Sequence, residues 1–444
     1  MKLLIESLNE ALKLTPGCQT FIVAYSGGVD SHVLLHACSM LIETRPSLNI
    51  GAVYIDHDLH EKSSQWRLHC EAVSKQLSIP FNSIKVDARD VNNDGPEQAA
   101  RKARYGAFEK LVKQGVVLFT AQHQDDQSET LILQLLRGCG IDGLAAMPKI
   151  DTFSNGHLVR PFLELEKSSI MAYADYHKLT WVEDPSNIEL DYNRNYLRHS
   201  VIPIIKERWP AFAKTTARTA SHCAESSEVL DKYLVQYIDA QEPRILDISS
   251  LLLRDGSEQK VIYRYWLKCN NVTMPSSKIL NEMVEGVVNA INDKSPVLRW
   301  NNLEVRRHQQ CLYLLNVLPS ISIGDVTCWT GNKCSLPHSA GELEVLPTVG
   351  EGVSKDVWAS SAITVRFRQG GEKLKIEGRE GTKRVKKLLN EQSVPVWVRQ
   401  RIPLIYINDE LAAVAGYWID ASFIAKPNQQ GYQIEWRQPD FLIS

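Results

Sequence analysis

Two short blocks of this chain combine residue types that ordinary folding does not ask for. The first is Ser26-Gly27-Gly28-Val29-Asp30-Ser31, set between an apolar run at 21–25 and a helical pattern from Val29. Glycines let the backbone pass close to a ligand. A helix start offers N–H groups and the positive end of a dipole to an anion, and the two serines add hydroxyl donors. Asp30 is the odd member, because a carboxylate repels phosphate. It makes sense if Mg²⁺ bridges it to phosphates, or if it orients a reacting group. The block lacks the G-K-S/T ending of a Walker loop and the spacing of a G-x-G-x-x-G dinucleotide turn.

The second block is His123-Gln124-Asp125-Asp126-Gln127-Ser128-Glu129-Thr130. If a helix starts here, His123, Asp126, Glu129 and Thr130 fall on neighbouring turns of one face. Such carboxylates can hold a metal, or grip an ammonium and take its proton. The ordinary alternative is capping, with Asp125 or Asp126 at the cap and Ser128 or Glu129 in the first turn. Basic residues form a third group. Arg101 and Arg104 stand three apart, Arg194 and Arg198 four apart. The planar guanidinium fork suits phosphate. Further on, Lys373, Lys375, Arg379, Lys383, Arg384, Lys386 and Lys387 flank Gly378 and Gly381, and Trp397, Arg399 and Arg401 follow. That is an electrostatic footprint for a polyanion, diluted by Glu372, Glu377 and Glu380. Solvated surface is the competing reading. Lys206, Arg208 and Lys214 are a weak bridge between the footprints.

The elements that must position these groups follow from periodicity. Strand-like runs at 21–25, 50–55, 83–86 and 116–121 alternate with helical patterns at 29–41, 66–77, 98–112 and 128–136. Such alternation predicts a parallel, doubly wound α/β sheet, with ligands at the carboxyl ends of its strands. Both chemical blocks fall at those ends. From about 212 to 318 helical patterns dominate (216–237, 258–267, 278–291). Beyond lie short runs broken by Gly, Pro and Ser, with strands at 363–367, 402–407 and 411–417 and a helix at 385–390. The expected division is a catalytic α/β domain at 1–211, a helical domain at 212–318 and a small α+β domain at 319–444.

Composition supports a soluble protein of several domains. The 444 residues are 44% hydrophobic and 23% charged, which excludes a disordered chain. No run approaches the roughly 18–20 apolar residues that span a bilayer, and Glu6 interrupts any signal-peptide core. Nine scattered cysteines without a C-x-x-C predict free thiols in a reducing, cytoplasmic setting. The net charge of −2 neither favours nor excludes nucleic acid.

The glycine block resembles the pyrophosphatase loop of the N-type ATP pyrophosphatases, which cleave ATP between the α- and β-phosphates. The second block is similar to the signature of the tRNA(Ile)-lysidine synthetases. The resemblance continues through 96–105, Leu135-Leu136-Arg137-Gly138, 143–147, Arg160-Pro161-Phe162-Leu163, Asp184-Pro185-Ser186-Asn187 and 194–198, and returns at 366–372 and 394–399. It covers the whole chain, strongest over the first ~205 residues. One departure is His57-Asp58-Leu59-His60, where relatives usually carry His-Gly-Leu-Arg. The resemblance implies an AMP-forming ligase that uses ATP and free lysine on an isoleucine tRNA with a CAU anticodon. The cytidine 2-carbonyl oxygen attacks the α-phosphate and releases pyrophosphate. The lysine ε-amine then attacks carbon-2 and expels AMP, leaving lysidine.

In that scheme Ser26, Gly27, Gly28, Val29, Asp30 and Ser31 hold the pyrophosphate, with Asp30 at Mg²⁺. Arg101 stabilises charge at the α-phosphate. Asp126 and Glu129 bind the lysine ammonium and ease its deprotonation, with His123 assisting. Arg194, Arg198, Lys383, Arg384, Lys386, Lys387 and Arg399 meet tRNA. Oligomeric state stays open, a homodimer included. A thiolating enzyme on the same fold needs a cysteine pair, and Cys139 has none nearby in sequence. An amidotransferase-type synthetase needs a glutaminase cysteine, which is not found. A catalytically dead tRNA-binding protein has no need of Asp30, Asp126 and Glu129.

Overall fold

A computed structural model describes residues 2–57, 62–87, 89, 95–288, 296–322 and 324–438. Asp58, Leu59 and His60 of the departing block, and residues 289–291 at the end of the expected helix 278–291, lie outside them. The chain forms two compact units, Met1–Leu230 and Asp231–Ser444.

In the first unit α1 (Lys2–Lys13) precedes β1 (Thr20–Ala24), α2 (Val29–Thr44), β2 (Asn49–Asp56), α3 (Ser63–Gln76), β3 (Phe81–Lys85), α4 (Pro96–Leu111), β4 (Val116–Phe119) and α5 (Gln124–Leu136). These match the expected alternation. A short α6 (Ile141–Leu144), the hairpin β5 (Ile150–Phe153) and β6 (Gly156–Val159), then α7 (Lys167–Tyr176), α8 (Asn193–Tyr196), α9 (Ile202–Arg208) and most of α10 (Phe212–Leu234) complete it. The sheet order is β3-β2-β1-β4-β6-β5, all parallel except β5, which returns antiparallel on β6.

Both faces of this sheet are covered, as a parallel sheet requires. Phe21 and Val23 of β1 face a core shared with Leu4, Leu8, Leu34 and Ile170 from α1, α2 and α7. Ile22 and Ala24, one step out of phase, face Ala107, Phe108 and Leu118 on the α4 side. Gly156 is small by necessity, since a Cβ there would meet the Val116 carbonyl at 2.3 Å. That close approach lets β6 lie against β4.

In the second unit, helices Gly256–Cys269 and Ser277–Glu282 are joined by an unanticipated four-stranded antiparallel sheet: Ile245–Asp247, Cys311–Asn316, Leu303–His308, Val297–Trp300. Residues 326–437 carry two antiparallel sheets, of five and four strands, around one core that includes Leu343, Val365, Leu388, Trp397 and Ile405. A two-stranded ribbon, Lys373–Lys375 against Thr382–Arg384, leads into helix Val385–Glu391. No helix among the described residues is long and apolar enough to cross a membrane.

Candidate active site

The strand order reverses between β1 and β4, and open α/β sheets bind ligands at such a switch point. The segment after β1 is the glycine block. Gly27 has φ +86°, a left-handed conformation natural to glycine, and a Cβ on it would lie 3.0 Å from the Cys70 sulfur. Its carbonyl accepts the Val182 N–H at 3.0 Å. Ser31 Oγ donates to the Gly28 carbonyl at 3.0 Å, accepts from Ser26 N at 3.2 Å and lies 3.1 Å from Ser26 Oγ. The loop is thus held by its own serines. Gly28 caps α2 without a side-chain bond, leaving the first-turn N–H groups of a 16-residue helix for an anion.

The segment after β4 is the second block, which opens α5. Capping and chemistry coincide there. The cap residue is His123, not an aspartate: its Nδ1 accepts the Asp125 N–H at 3.3 Å while Asp126 Oδ2 accepts the His123 N–H at 3.0 Å. This turns Nε2 toward Asp126 Oδ2 at 3.4 Å and toward Asp30 Oδ2 at 3.7 Å. The two blocks meet through that imidazole. Asp30 Oδ1 accepts from Lys167 Nζ, at the start of α7, at 2.5 Å. Burial raises the Asp30 pKa, but the His123 bond and the His123 and Lys167 charges outweigh it and hold the carboxyl below its usual range. Burial likewise opposes a proton on His123, yet Asp30 and Asp126 win and raise its pKa.

Glu129 is 1% exposed, and both its oxygens are taken. Arg194 Nε donates to Oε2 at 2.6 Å, Arg198 Nε to Oε1 at 2.6 Å, and Arg198 Nη2 to Oε2 at 2.9 Å. Both guanidiniums also reach Asp126 Oδ1 at 3.1 Å. The arginines come from α8 and from a π-turn, Leu197–Val201, that joins it to α9. Lys206 of α9 donates to Asp125 at 2.7 Å. Residues 194, 198, 202 and 206 lie four apart, and the last three line a cavity of about 200 Å³ with Asp30, His123, Asp125, Glu129 and Lys167.

The sequence-predicted residues therefore divide. Asp30, His123, Asp126 and Glu129 converge. Arg194 and Arg198, expected on tRNA, are seated on the carboxylates of α5. Arg101 stands exposed on α4, its guanidinium 4.6 Å over the Tyr105 ring, and does not line the cavity. Arg104 donates to His57 Nε2 at 3.3 Å. Lys167 escaped sequence reasoning. Its signal was a lysine at the first position of a helix that starts soon after β6, at the carboxyl side of the sheet. In the second unit Lys373 sits directly opposite Arg384, like charge against like, with Lys375, Lys386 and Lys387 exposed beside them. Lys383 is half-buried across from Leu374. Arg399 turns inward, donating to the Val394 carbonyl and to Asn390.

Among the described residues no group of three or more His, Cys, Asp or Glu side chains is placed to hold a metal. Mg²⁺ ordinarily takes one or two carboxylates and completes its shell with phosphate oxygens and water. The Asp30 carboxylate beside an anion-binding loop fits an ion that arrives with a polyphosphate.

A parallel sheet with this serine-glycine loop at its switch point defines an ATP-binding domain of the pyrophosphatase-loop class, and residues 3–205 match the family described as the PP-loop domain. Residues 246–313 match the TilS substrate binding domain, and residues 363–436 the TilS substrate C-terminal domain. The tRNA(Ile)-lysidine synthase of Coxiella burnetii is 40% identical over 98% of this chain and 97% of its own. That of Methylococcus capsulatus is 35% identical over 98% of this chain and 100% of its own, and that of Legionella pneumophila strain Paris 39% over 91% and 93%. The chain belongs to the tRNA(Ile)-lysidine synthase family.

Proposed function

We propose that this enzyme joins lysine to carbon-2 of the wobble cytidine of an isoleucine tRNA with a CAU anticodon, through an adenylated tRNA, yielding lysidine, AMP and pyrophosphate. One observation carries the reading: Asp30 of the anion-binding loop and the buried carboxylate Glu129 line the same cavity. The first half-reaction needs ATP held by its phosphates. The loop from Ser26 to Ser31 and the first turn of α2 supply N–H and hydroxyl donors, and Lys167 and Arg198 supply positive charge. Mg²⁺ arriving with ATP would be held by Asp30 and would offset charge on the departing pyrophosphate.

The second half-reaction needs a free amine. A lysine ε-ammonium becomes a nucleophile only after it loses a proton. Asp126 and Glu129 offer acceptor oxygens to the ammonium, and Asp126 takes the proton, assisted by His123, whose Nε2 faces its Oδ2. Glu129 is shielded from solvent, and Ile202 gives the cavity an apolar wall. Arg101 at the α-phosphate requires that its side chain leave Tyr105. The exposed cations at 373–387 hold the tRNA backbone, with Arg399 bracing the segment behind them.

The test is mass measurement of the wobble nucleoside after incubation with tRNA, ATP and lysine. The expected product is heavier than cytidine by one lysine less one water, and its formation requires all three substrates. Sedimentation of the pure chain decides between a monomer and a homodimer.

A further inference from the structure

The carboxylate pair that would receive the lysine ammonium is already paired with two guanidiniums. Glu129 and Asp126 carry two negative charges between them, and Arg194 and Arg198 bring two positive ones. Three of the four carboxylate oxygens accept from guanidinium nitrogens. The fourth, Asp126 Oδ2, accepts the His123 N–H. In this state the charge of the pair is already balanced, and an ammonium would be the third positive charge against two negatives.

The same two arginines are the groups best suited to a polyphosphate, because their forks bond phosphate oxygens in pairs. Arg198 already lines the cavity that holds Asp30 and Lys167. It stands on a π-turn, a wide turn common where helices change register at working sites.

We infer that Arg194 and Arg198 form an interlock: they occupy the ammonium site until ATP draws them onto its phosphates, so ATP binding opens the site for lysine. This rests on the reading that Asp126 and Glu129 receive lysine. The interlock makes the two ligands cooperative, and the cooperativity is reciprocal: each ligand tightens the other by the same factor. It also keeps free lysine and other amines off Asp126 and Glu129 when no ATP is bound.

The experiment is calorimetric titration of the full chain with L-lysine, with and without saturating α,β-methylene-ATP and Mg²⁺, in the absence of tRNA. Lysine should bind at least about tenfold more tightly with the analogue, within the usual span of coupling factors. The analogue should bind correspondingly tighter with lysine present. Arg198→Gln, checked for its fold by circular dichroism, should bring the ratio toward one by tightening lysine binding to the analogue-free chain. A merely structural arginine would weaken lysine binding in both states and leave the ratio unchanged. Equal lysine affinity in the two wild-type states overturns the interlock while leaving the carboxylate site standing. Lysine binding to the analogue-bound Glu129→Gln variant as tight as wild type overturns the reading beneath it. Absence of lysine binding in both wild-type states overturns the interlock, because the polyphosphate alone is then unable to open the site.

Discussion

A carboxylate at the mouth of an anion loop is costly unless a cation meets it, and in the free chain Lys167 and His123 meet Asp30. Asp30→Ala should therefore leave the fold and tRNA binding near normal while abolishing pyrophosphate release. Release at near-wild-type rate would remove Asp30 from the chemistry. Glu129→Gln separates the half-reactions: the lysine requirement should rise at least tenfold and more than the ATP requirement. A shift in the ATP requirement alone would place Glu129 at the metal. Histidines behind the loop add a pH dependence. His32 is 4% exposed, its Nδ1 has no hydrogen-bond partner among the described residues, and burial, with the His69 charge, lowers its pKa to about 4. Above about pH 6.5 neither state binds that proton. Between about 6.5 and about 4 the unfolded chain binds it first, so stability falls as pH falls, by up to roughly 1.4 kcal/mol per unit. His123, with its raised pKa, acts oppositely: its contribution is present at low pH and is lost as pH rises through the folded value. Urea melts from pH 7 to 4 should show the acid loss, and His32→Gln should flatten it. The four converging residues were legible because each lies within a block of local spacing at a strand end. Lys167 was not, because it reaches Asp30 across 137 positions. Nor was the partner of Arg194 and Arg198, since four-residue spacing marks a shared face but not what the face meets.

At the level of elements, the loop works because of one backbone angle and one close approach. Gly27→Ala forces a left-handed alanine, at about 1–2 kcal/mol, and drives its Cβ against the Cys70 sulfur. The variant should melt lower and bind ATP at least tenfold more weakly. Adding Cys70→Ala should restore only part of the loss, because the crowding is relieved while the backbone cost stays. Full restoration would mean that the angle is unimportant. The alternating elements from β1 to α5 follow the apolar pattern closely, and even the four-residue β4 shows itself because Val116-Val117-Leu118-Phe119 is wholly apolar. The hairpin β5–β6 was hidden by four-residue strands that include Asp151 and Thr152. The sheet in the second unit was hidden by charge. Its strand Leu303–His308 contains Glu304, fully buried, which holds Arg299 at 3.0 Å and Arg306 at 2.7 Å. A run with that much charge does not announce a strand.

Across the whole molecule the formal charge is −2, so tRNA cannot be attracted by the total. It must be attracted by placement. The ribbon 373–375/382–384 sets Lys373 against Arg384, a pairing that costs stability unless an anion sits on it. Lys386 and Lys387 extend the charge along the first turn of the next helix, where the dipole also disfavours cations. Folding alone gives no reason to gather these charges, whereas a phosphate backbone does. Their exposure and shared neighbourhood were legible in the sequence, but the inward turn of Arg399 was not. Replacing Lys383, Arg384, Lys386 and Lys387 by Ala should weaken tRNA binding and flatten its dependence on salt, by about one unit of logarithmic slope for each phosphate left without its cation. Lys383 is half-buried, so three of the four should account for most of the change. ATP affinity should stay as it was, because the phosphate loop belongs to the other unit. The measurement is tRNA titration at several salt concentrations for the wild type and the fourfold variant, beside an ATP titration of each. Removing like-charge repulsion should also raise the melting temperature of the variant slightly, and this separates weaker phosphate binding from a damaged fold. An unchanged slope would mean that the cluster is solvated surface and that tRNA is held elsewhere.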